Sequence, residues 1–217
     1  MRIFNQITVF VFLLVNLQVS KVQGQAWRCV RKTRGVIVYA KKSEHTGIKI
    51  IKIETTIHTT LSAIVAVIKD APNNKNWIYL NKSAKLLESD NPFFWVYYGQ
   101  SDAPWPVADR DIVVQCHLKQ DSVNKIIHIN SYAIPEYIPI KEGYVRIPYS
   151  LSQWTIVPED NGTVHVEFMV EINLGGKIPK WMMNLMASRG PYESIIRFRK
   201  QLTLKKYRNI HLSYIMD

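Results

Sequence analysis

The sequence predicts an α+β fold in which an antiparallel sheet bends around one long C-terminal helix. Most of the chain alternates apolar and polar residues, as strands with one buried face do. Two segments have helical spacing instead, one at residues 60–77 and one from Ile178 toward the C-terminus. Two strands change phase, at Ile50-Ile51 and at Ser152-Gln153, which predicts bulges that bend the sheet. A helix against the concave face of such a sheet leaves an interior suited to an apolar ligand.

The strand at 164–172 shows the alternation most clearly. Residues 165, 167, 169 and 171 lie on one face of this strand. The opposite face carries five apolar side chains: Val164, Val166, Phe168, Val170 and Ile172. The same pattern predicts strands at 36–40, 48–57, 84–88, 93–99, 112–118, 125–134 and 144–157. The first helical segment follows the second strand, and six strands then precede the last helix.

The last helix carries a broad apolar stripe. Its members recur at i, i+3, i+4, i+7 and i+8: Ile178, Trp181, Met182, Leu185 and Met186. Gly175-Gly176 precede the helix as a flexible connection, and Gly190-Pro191 predict an interruption and a kink. The earlier helical segment divides into a short amphipathic helix at 60–69 and a shorter piece that ends at Trp77.

Composition predicts one folded domain preceded by a removable leader. The 217 residues are 47% hydrophobic and 21% charged, which is typical of globular proteins. Arg2, the apolar run 7–19 and the small residues around Gly24 predict a signal peptide at 1–24, with the domain at 25–217. We therefore expect a secreted or periplasmic protein; a retained N-terminal membrane anchor is the alternative.

The cysteines and the charge leave alternatives open. Cys29 and Cys116 permit one disulfide in an exported protein, but both lie in strand-like segments, which favours buried free thiols. The formal net charge of +11 indicates an anionic partner, or solubility alone. Basic residues concentrate late in the chain, where Arg197, Arg199 and Lys200 are predicted to face an acidic membrane or simply solvent. The predicted export argues against nucleic acid as the anionic partner.

An ordered set of motifs resembles a known family. Trp77 is followed by "YYGQSDAPWPVADRDIV" at 97–113 and by "GYVRIPYSLSQWTIVPEDNGTVHVEFMVEINLGGKIPKWMMN" at 143–184. Together they resemble the START (StAR-related lipid transfer) domains, most closely the single-domain bacterial-type members, over nearly all of the mature chain. The resemblance implies a helix-grip fold, with a lipid or sterol-like ligand in a cavity between sheet and helix. It also implies binding or transfer without catalysis or a cofactor, by a protein expected to be a monomer.

Alternation and the resemblance together predict the residues of the cavity wall. They are Trp95, Tyr97, Val113, Gln115, His117, Trp154, Phe168, Trp181, Met182, Leu185 and Met186. Sterol-carrying relatives often place an acid and an arginine inside the cavity, on the strands before and after the loop at 102–108. By spacing, Tyr97 and Gln115 occupy those positions here. Both are uncharged, so sterol specificity is not indicated, although either can hydrogen-bond a hydroxyl or an ester carbonyl.

The charged triplet after the Pro-Trp-Pro turn has two interpretations. Asp109, Arg110 and Asp111 stand at the start of a strand, where a five-donor guanidinium can tie several backbone or carboxylate oxygens together. The triplet is thus predicted to be a structural charge cluster, with direct ligand contact as the alternative.

Enzymes form the rival functional class, because helix-grip folds include cyclases and hydrolases. The six histidines form no HExxH motif or zinc spacing, and the chain has no Gly-x-Ser-x-Gly elbow and no glycine-rich phosphate loop. Gln115, His117 and Tyr97 are the residues that could converge and move a proton. We therefore predict no catalytic residue, metal or cofactor, and retain a cavity enzyme acting on an apolar substrate as the alternative.

Overall fold

One sheet is the framework of the protein, seen in a computed structural model that describes residues 26–44 and 49–217 and, of Lys180 and 184–188, the backbone only. Its ten strands in the described residues are β1 (Arg28–Thr33), β2 (Val36–Lys42), β3 (Lys49–His58), β4 (Asn81–Asn91), β5 (Phe94–Ser101), β6 (Asp109–Gln120), β7 (Ile127–Ala133), β8 (Tyr144–Arg146), β9 (Tyr149–Pro158) and β10 (Thr163–Asn173). The helices are α1 (Leu61–Lys69), α2 (Asn74–Trp77), α3 (Lys180–Leu202) and α4 (Lys205–Arg208). The predicted signal peptide lies outside the described residues.

The sheet is curved, and its strand order is β1-β2-β3-β10-β9-β7-β6-β5-β4. Neighbours along this path are antiparallel, so the predicted α+β class is confirmed. The exception is β8, which pairs in parallel with β6. The segment 144–157, predicted as one strand, divides at Ile147-Pro148 because proline has no amide hydrogen to extend a ladder.

The prediction of bulges in β3 and β9 was wrong. Both strands pair with their neighbours without a register shift. Register shifts occur instead in the pairing of β4 with β5, at three points, and in the pairing of β1 with β2, at one point. The two phase changes have another cause. Ile51 points into the core and Ile50 toward the outer face, while Ser152 is an inward residue that happens to be polar. The two-residue alternation of apolar and polar side chains changes phase at these points, but the register of the backbone pairing does not.

Helix α3 lies across the inner face of the sheet. Phe198 on α3 is fully buried, and its ring lies 5.1 Å from that of Trp77 and 5.3 Å from that of Trp154. The prediction that the helix is interrupted at Gly190-Pro191 was wrong, because α3 continues through Pro191. The connection before α3 does contain two residues with positive φ, Gly175 and Gly176, as a sharp bend requires.

The cysteines are both free thiols, as predicted. Cys116 is buried on β6, but Cys29 is exposed on the edge strand β1, so the prediction that both are buried was wrong for Cys29.

Candidate functional site

A cavity of about 540 Å³ lies between the inner face of the sheet and the helices α2 and α3. That volume lies within the usual range for pockets that enclose one small molecule. Most of its lining is apolar: Ile51, Ile53, Ile68, Trp77, Ile78, Trp95, Trp154, Phe168, Val170, Ile172, Leu174, Met183, Pro191 and Ile195. The remaining lining residues are polar or small: Lys49, Asn74, Tyr79, Tyr97, Cys116, Ser131, Ser152, Gly190 and Ser194.

A row of small residues across the sheet explains why this interior is open. Cys116 on β6 stands opposite Ser131 on β7, and Ser131 stands opposite Ser152 on β9. The row ends on larger side chains, Trp95 beside Cys116 and Val170 beside Ser152. Because directly opposite residues share one face of a sheet, the three small side chains lie together on the cavity floor.

Four of the predicted wall residues line the cavity: Trp95, Tyr97, Trp154 and Phe168. Trp154 and Phe168 are register partners on β9 and β10, and their rings lie 4.5 Å apart. Burial raises the pKa of the Tyr97 phenol well above its ordinary value, so this hydroxyl stays neutral. Contact of these four side chains with a ligand stays a prediction.

Val113, Gln115 and His117 were assigned to the wrong face of β6. Tyr97 pairs with Val114, so residues 114 and 116 face inward and residues 113, 115 and 117 face outward. Val113 is fully buried in a second cluster with Val96 and Tyr98. Gln115 and His117 bond the Tyr132 hydroxyl on the exposed side, at 2.6 and 3.1 Å. Gln115 therefore cannot hold a ligand inside the cavity, nor can it join Tyr97 in moving a proton there.

None of the predicted stripe residues whose side chains the structure describes lines the cavity. Trp181 is 47% exposed, and Met182 is buried without lining the cavity. The side chains of Leu185 and Met186 lie outside the described residues. Helix α3 instead contributes lining residues that the sequence reasoning missed: Met183, Gly190, Pro191, Ser194 and Ile195. Gly190-Pro191 had been interpreted only as an interruption and a kink of the helix, although two small residues also leave room beside it.

Helix α2 was also missed as part of the site. Asn74 and Trp77 on α2 line the cavity, and so do Ile78 and Tyr79 directly after it. Ser194 on α3 accepts a hydrogen bond from the Tyr79 amide at 2.9 Å. Trp77 was noted only for its place in the motif set. The i, i+3 spacing of Asn74 and Trp77 was the available signal, since it places both on one face of a helix.

The charged triplet lies beside the cavity rather than in its lining. Asp109 accepts a hydrogen bond from the Ala103 amide at 3.0 Å. Arg110 is buried and donates to the backbone carbonyls of Ala108 and, at 3.4 Å, Gly175. Burial also lowers the pKa of the Arg110 guanidinium, although Asp109 opposes that shift.

Asp111 forms a buried ion pair that the sequence did not reveal. Arg146 meets its carboxylate through two nitrogens, at 2.9 and 3.0 Å, and Tyr98 donates its hydroxyl at 3.0 Å. Burial, with Asp111 next in effect, raises the pKa of Tyr98 to about 12. Arg146 also donates to the carbonyls of Pro135, Ile138 and Pro139, and so fastens the segment between β7 and β8.

The three predicted membrane-facing basic residues do not form one free surface. Arg199 donates to the carbonyl of Arg34 at 2.8 Å, and Arg197 lies over the ring of Tyr79. Lys200 is exposed. Two of the three thus stabilise the fold, and the membrane role of this group stays a prediction.

We expect a single thiol of the native protein to react with Ellman's reagent at pH 8. Burial raises the pKa of Cys116 to about 12, so its thiolate is scarce, whereas Cys29 is exposed. Titration should count one thiol in the native state and two in guanidinium chloride, and none in native Cys29→Ser. Rapid native reaction of Cys116 would contradict its burial in the cavity floor.

The described parts of the chain contain no group of three or more His, Cys, Asp or Glu side chains placed to hold a metal. None of their helices combines the length and the apolarity that a bilayer-spanning segment requires.

A curved sheet that encloses an apolar cavity with a long C-terminal helix defines the helix-grip class of α+β proteins. The START domain model matches residues 14–208, and the chain belongs to that family. An uncharacterised protein of Pseudomonas aeruginosa is 29% identical over 79% of this chain and 84% of its own length. The phosphatidylcholine transfer protein of Bos taurus is 27% identical over 80% of this chain and 83% of its own length. A solved STAR-related lipid transfer protein fragment from Xanthomonas axonopodis is 28% identical, with a TM-score of 0.76 over 82% of this chain and 99% of that one.

Proposed function

We propose that this protein is an exported lipid carrier, which holds one apolar ligand in its cavity and exchanges it at a membrane surface. The cavity is the observation that carries the proposal, because aromatic and aliphatic side chains enclose a volume suited to a single molecule. Membership of the START family supports lipid binding, as does similarity to phosphatidylcholine transfer proteins. Residues 1–24 would direct export, and a monomer would suffice, since one chain supplies the whole cavity.

Exposed aromatic side chains at one end of the sheet support the membrane contact. The turn between β5 and β6 presents Trp105 with 90% of its surface exposed, and the start of α3 presents Trp181. Arg110 bonds Gly175, so the start of β6 and the connection before α3 lie side by side. Leu174 and Met183 line the cavity at this same end. Tryptophan favours the boundary between lipid and water, and the net positive charge favours anionic lipid.

The membrane contact predicts that Trp105→Ser slows lipid transfer and leaves equilibrium binding unchanged. The assay follows a fluorescent phospholipid moving from anionic donor vesicles to acceptor vesicles. Val123→Ser is the matched control, because Val123 is also 90% exposed but lies in the β6–β7 turn at the opposite end of the sheet. We expect the rate to fall several-fold for Trp105→Ser alone. Equal rates for both variants would contradict this docking surface, and absence of transfer by the parent would contradict the carrier function.

The enzyme alternative predicts chemical change of the ligand. A carrier should return its lipid intact after long incubation, as judged by mass spectrometry of an organic extract. Turnover that is lost in Tyr97→Phe would support a cavity enzyme instead. His117→Ala serves as the control, because His117 lies on the outer face.

A further inference from the structure

The cavity opens to solvent between the start of β3 and the start of α3. Among the described lining residues, Lys49 and Met183 are the two that are exposed. Lys49 is the first residue of β3, and Met183 lies in the first turn of α3. Ile172 and Leu174, at the end of β10 and just after it, line the same end of the cavity. We call this opening the mouth of the cavity.

Two lysines stand side by side at the mouth. Lys42 is the last residue of β2, and it is the register partner of Lys49 in the antiparallel pairing of β2 with β3. Directly opposite residues share one face of a sheet, with Cβ atoms about 5 Å apart. Because Lys49 lines the cavity, Lys42 lies on the inner face as well. Both side chains are exposed, so an incoming group can reach them.

The two lysines form an uncompensated pair of like charges. Like charges directly opposite each other destabilise a sheet. By contrast, Lys52 on the same hairpin contacts the carboxylates of Glu54 and Glu167, at 2.5 and 3.4 Å. Among the residues that the structure describes, no ion pair or side-chain hydrogen bond reaches Lys42 or Lys49. An anion held between their amino groups would relieve the repulsion and accept hydrogen bonds from both.

The interior of the cavity offers no second place for a charge. Lys49 carries the one formal charge among the described lining residues. Tyr97 and Cys116 are neutral, because burial raises the pKa of each well above physiological pH. An ionised group deep in the cavity would therefore lose its hydration without gaining a counter-charge. The volume of about 540 Å³ also suits one hydrocarbon chain.

From this arrangement we infer that the Lys42–Lys49 pair binds the anionic headgroup, a carboxylate or a phosphate, of a single-chain lipid. The headgroup stays at the mouth, and the chain lies inside among the aromatic side chains of Trp95, Trp154 and Phe168. This inference rests on the proposed function, since it names the ligand class and the ligand's orientation for the same cavity.

Two pyrene probes of equal chain length test the inference on the parent protein at pH 8: pyrenyldodecanoate and pyrenyldodecanol. A wall without charge would favour the alcohol, because an ionised carboxylate is strongly hydrated in water. We expect the acid to bind about fivefold more tightly than the alcohol. Equal affinities, or tighter binding of the alcohol, would overturn the inference while leaving the carrier function standing. Binding of neither probe would overturn both.

Three variants locate the preference: Lys42→Gln, Lys49→Gln and the double variant. Each single change should weaken the acid and leave the alcohol unchanged, and the double variant should lose the preference for the acid. Lys119→Gln is the matched control, because Lys119 is also an exposed lysine but lies on the outer face near the opposite end of the sheet. Melting curves verify folding, and the parent comparison decides the question for any variant that does not fold. A preference that persists in the folded double variant would overturn the assignment to these lysines.

Two further measurements separate a ligand headgroup from other anions. If the pair contacts membrane lipid instead, the double variant slows probe transfer from anionic vesicles while the acid-to-alcohol ratio stays at its parent value. If the pair is a site for a free anion, inorganic phosphate raises the melting temperature of the parent but not of the double variant, and the parent shows no preference for the acid. Either result would overturn the inference.

Discussion

Replacing Ser152 by Phe should abolish lipid binding while the protein remains folded. Ser152 stands between Ser131 and Val170 on the cavity floor, and its small size helps to keep the interior open. A benzyl group there occupies the space that a ligand needs. Because the cavity can receive the added atoms, the variant should escape the roughly 1–3 kcal/mol that overpacking of a filled core costs.

The control is Gln153→Phe, which adds the same ring one residue further along β9, on the outer face of the sheet. Binding is measured by displacement of a fluorescent lipid, and folding by thermal melting of the same samples. The cavity interpretation requires binding to be lost in Ser152→Phe and retained in Gln153→Phe. A large loss of stability in Ser152→Phe would show instead that the interior is a packed core.

Arg146→Leu should lower the free energy of unfolding by about 3–5 kcal/mol, the cost of leaving a buried charge without its partner. Asp111 is 1% exposed and would lose the two-nitrogen contact, while three carbonyls between residues 135 and 139 would lose their donor. The measurement is urea unfolding monitored by tryptophan fluorescence. Hydrogen exchange should show the largest loss of protection in residues 134–143.

A second substitution separates the ion pair from general disruption. Adding Asp111→Asn to Arg146→Leu removes the stranded charge, so the double variant should be more stable than Arg146→Leu alone. Lys82 supplies a surface control, because its contacts with Asp102 and Asp109 are solvent-exposed and Lys82→Ala should change stability by under about 1 kcal/mol. Additive destabilisation in the double variant would mean that Asp111 and Arg146 are not coupled.

Periodicity predicted the elements well, because one face of most strands is buried and the last helix has an apolar side. It could not decide which face of β6 points inward. Val113 is buried in the second cluster and Val114 in the main core, so both faces of this strand are apolar in sequence. Only pairing with β5 places Cys116 in the cavity and Gln115 outside. An error of one residue reverses every assignment along a strand.

Contacts between residues that are distant in the sequence were the second feature that could not be predicted. Asp111 and Arg146 are 35 residues apart, and nothing local to either indicates the other. Arg110, the most conspicuous residue of the triplet, contacts backbone carbonyls, while the buried pair belongs to its neighbour. The contribution of α2 to the lining was similarly hidden, because the cavity beside Asn74 and Trp77 exists only once α3 lies against the sheet.

Native mass spectrometry of the purified mature protein, mixed with an equimolar set of neutral lipids and phospholipids, tests the central claim most directly. The cavity account predicts one lipid per chain in the parent, lost in Ser152→Phe and retained in Gln153→Phe. It also predicts that an organic extract returns that lipid with an unchanged mass. A parent protein that stays free of lipid, or that carries several lipids which Ser152→Phe does not displace, would contradict the account.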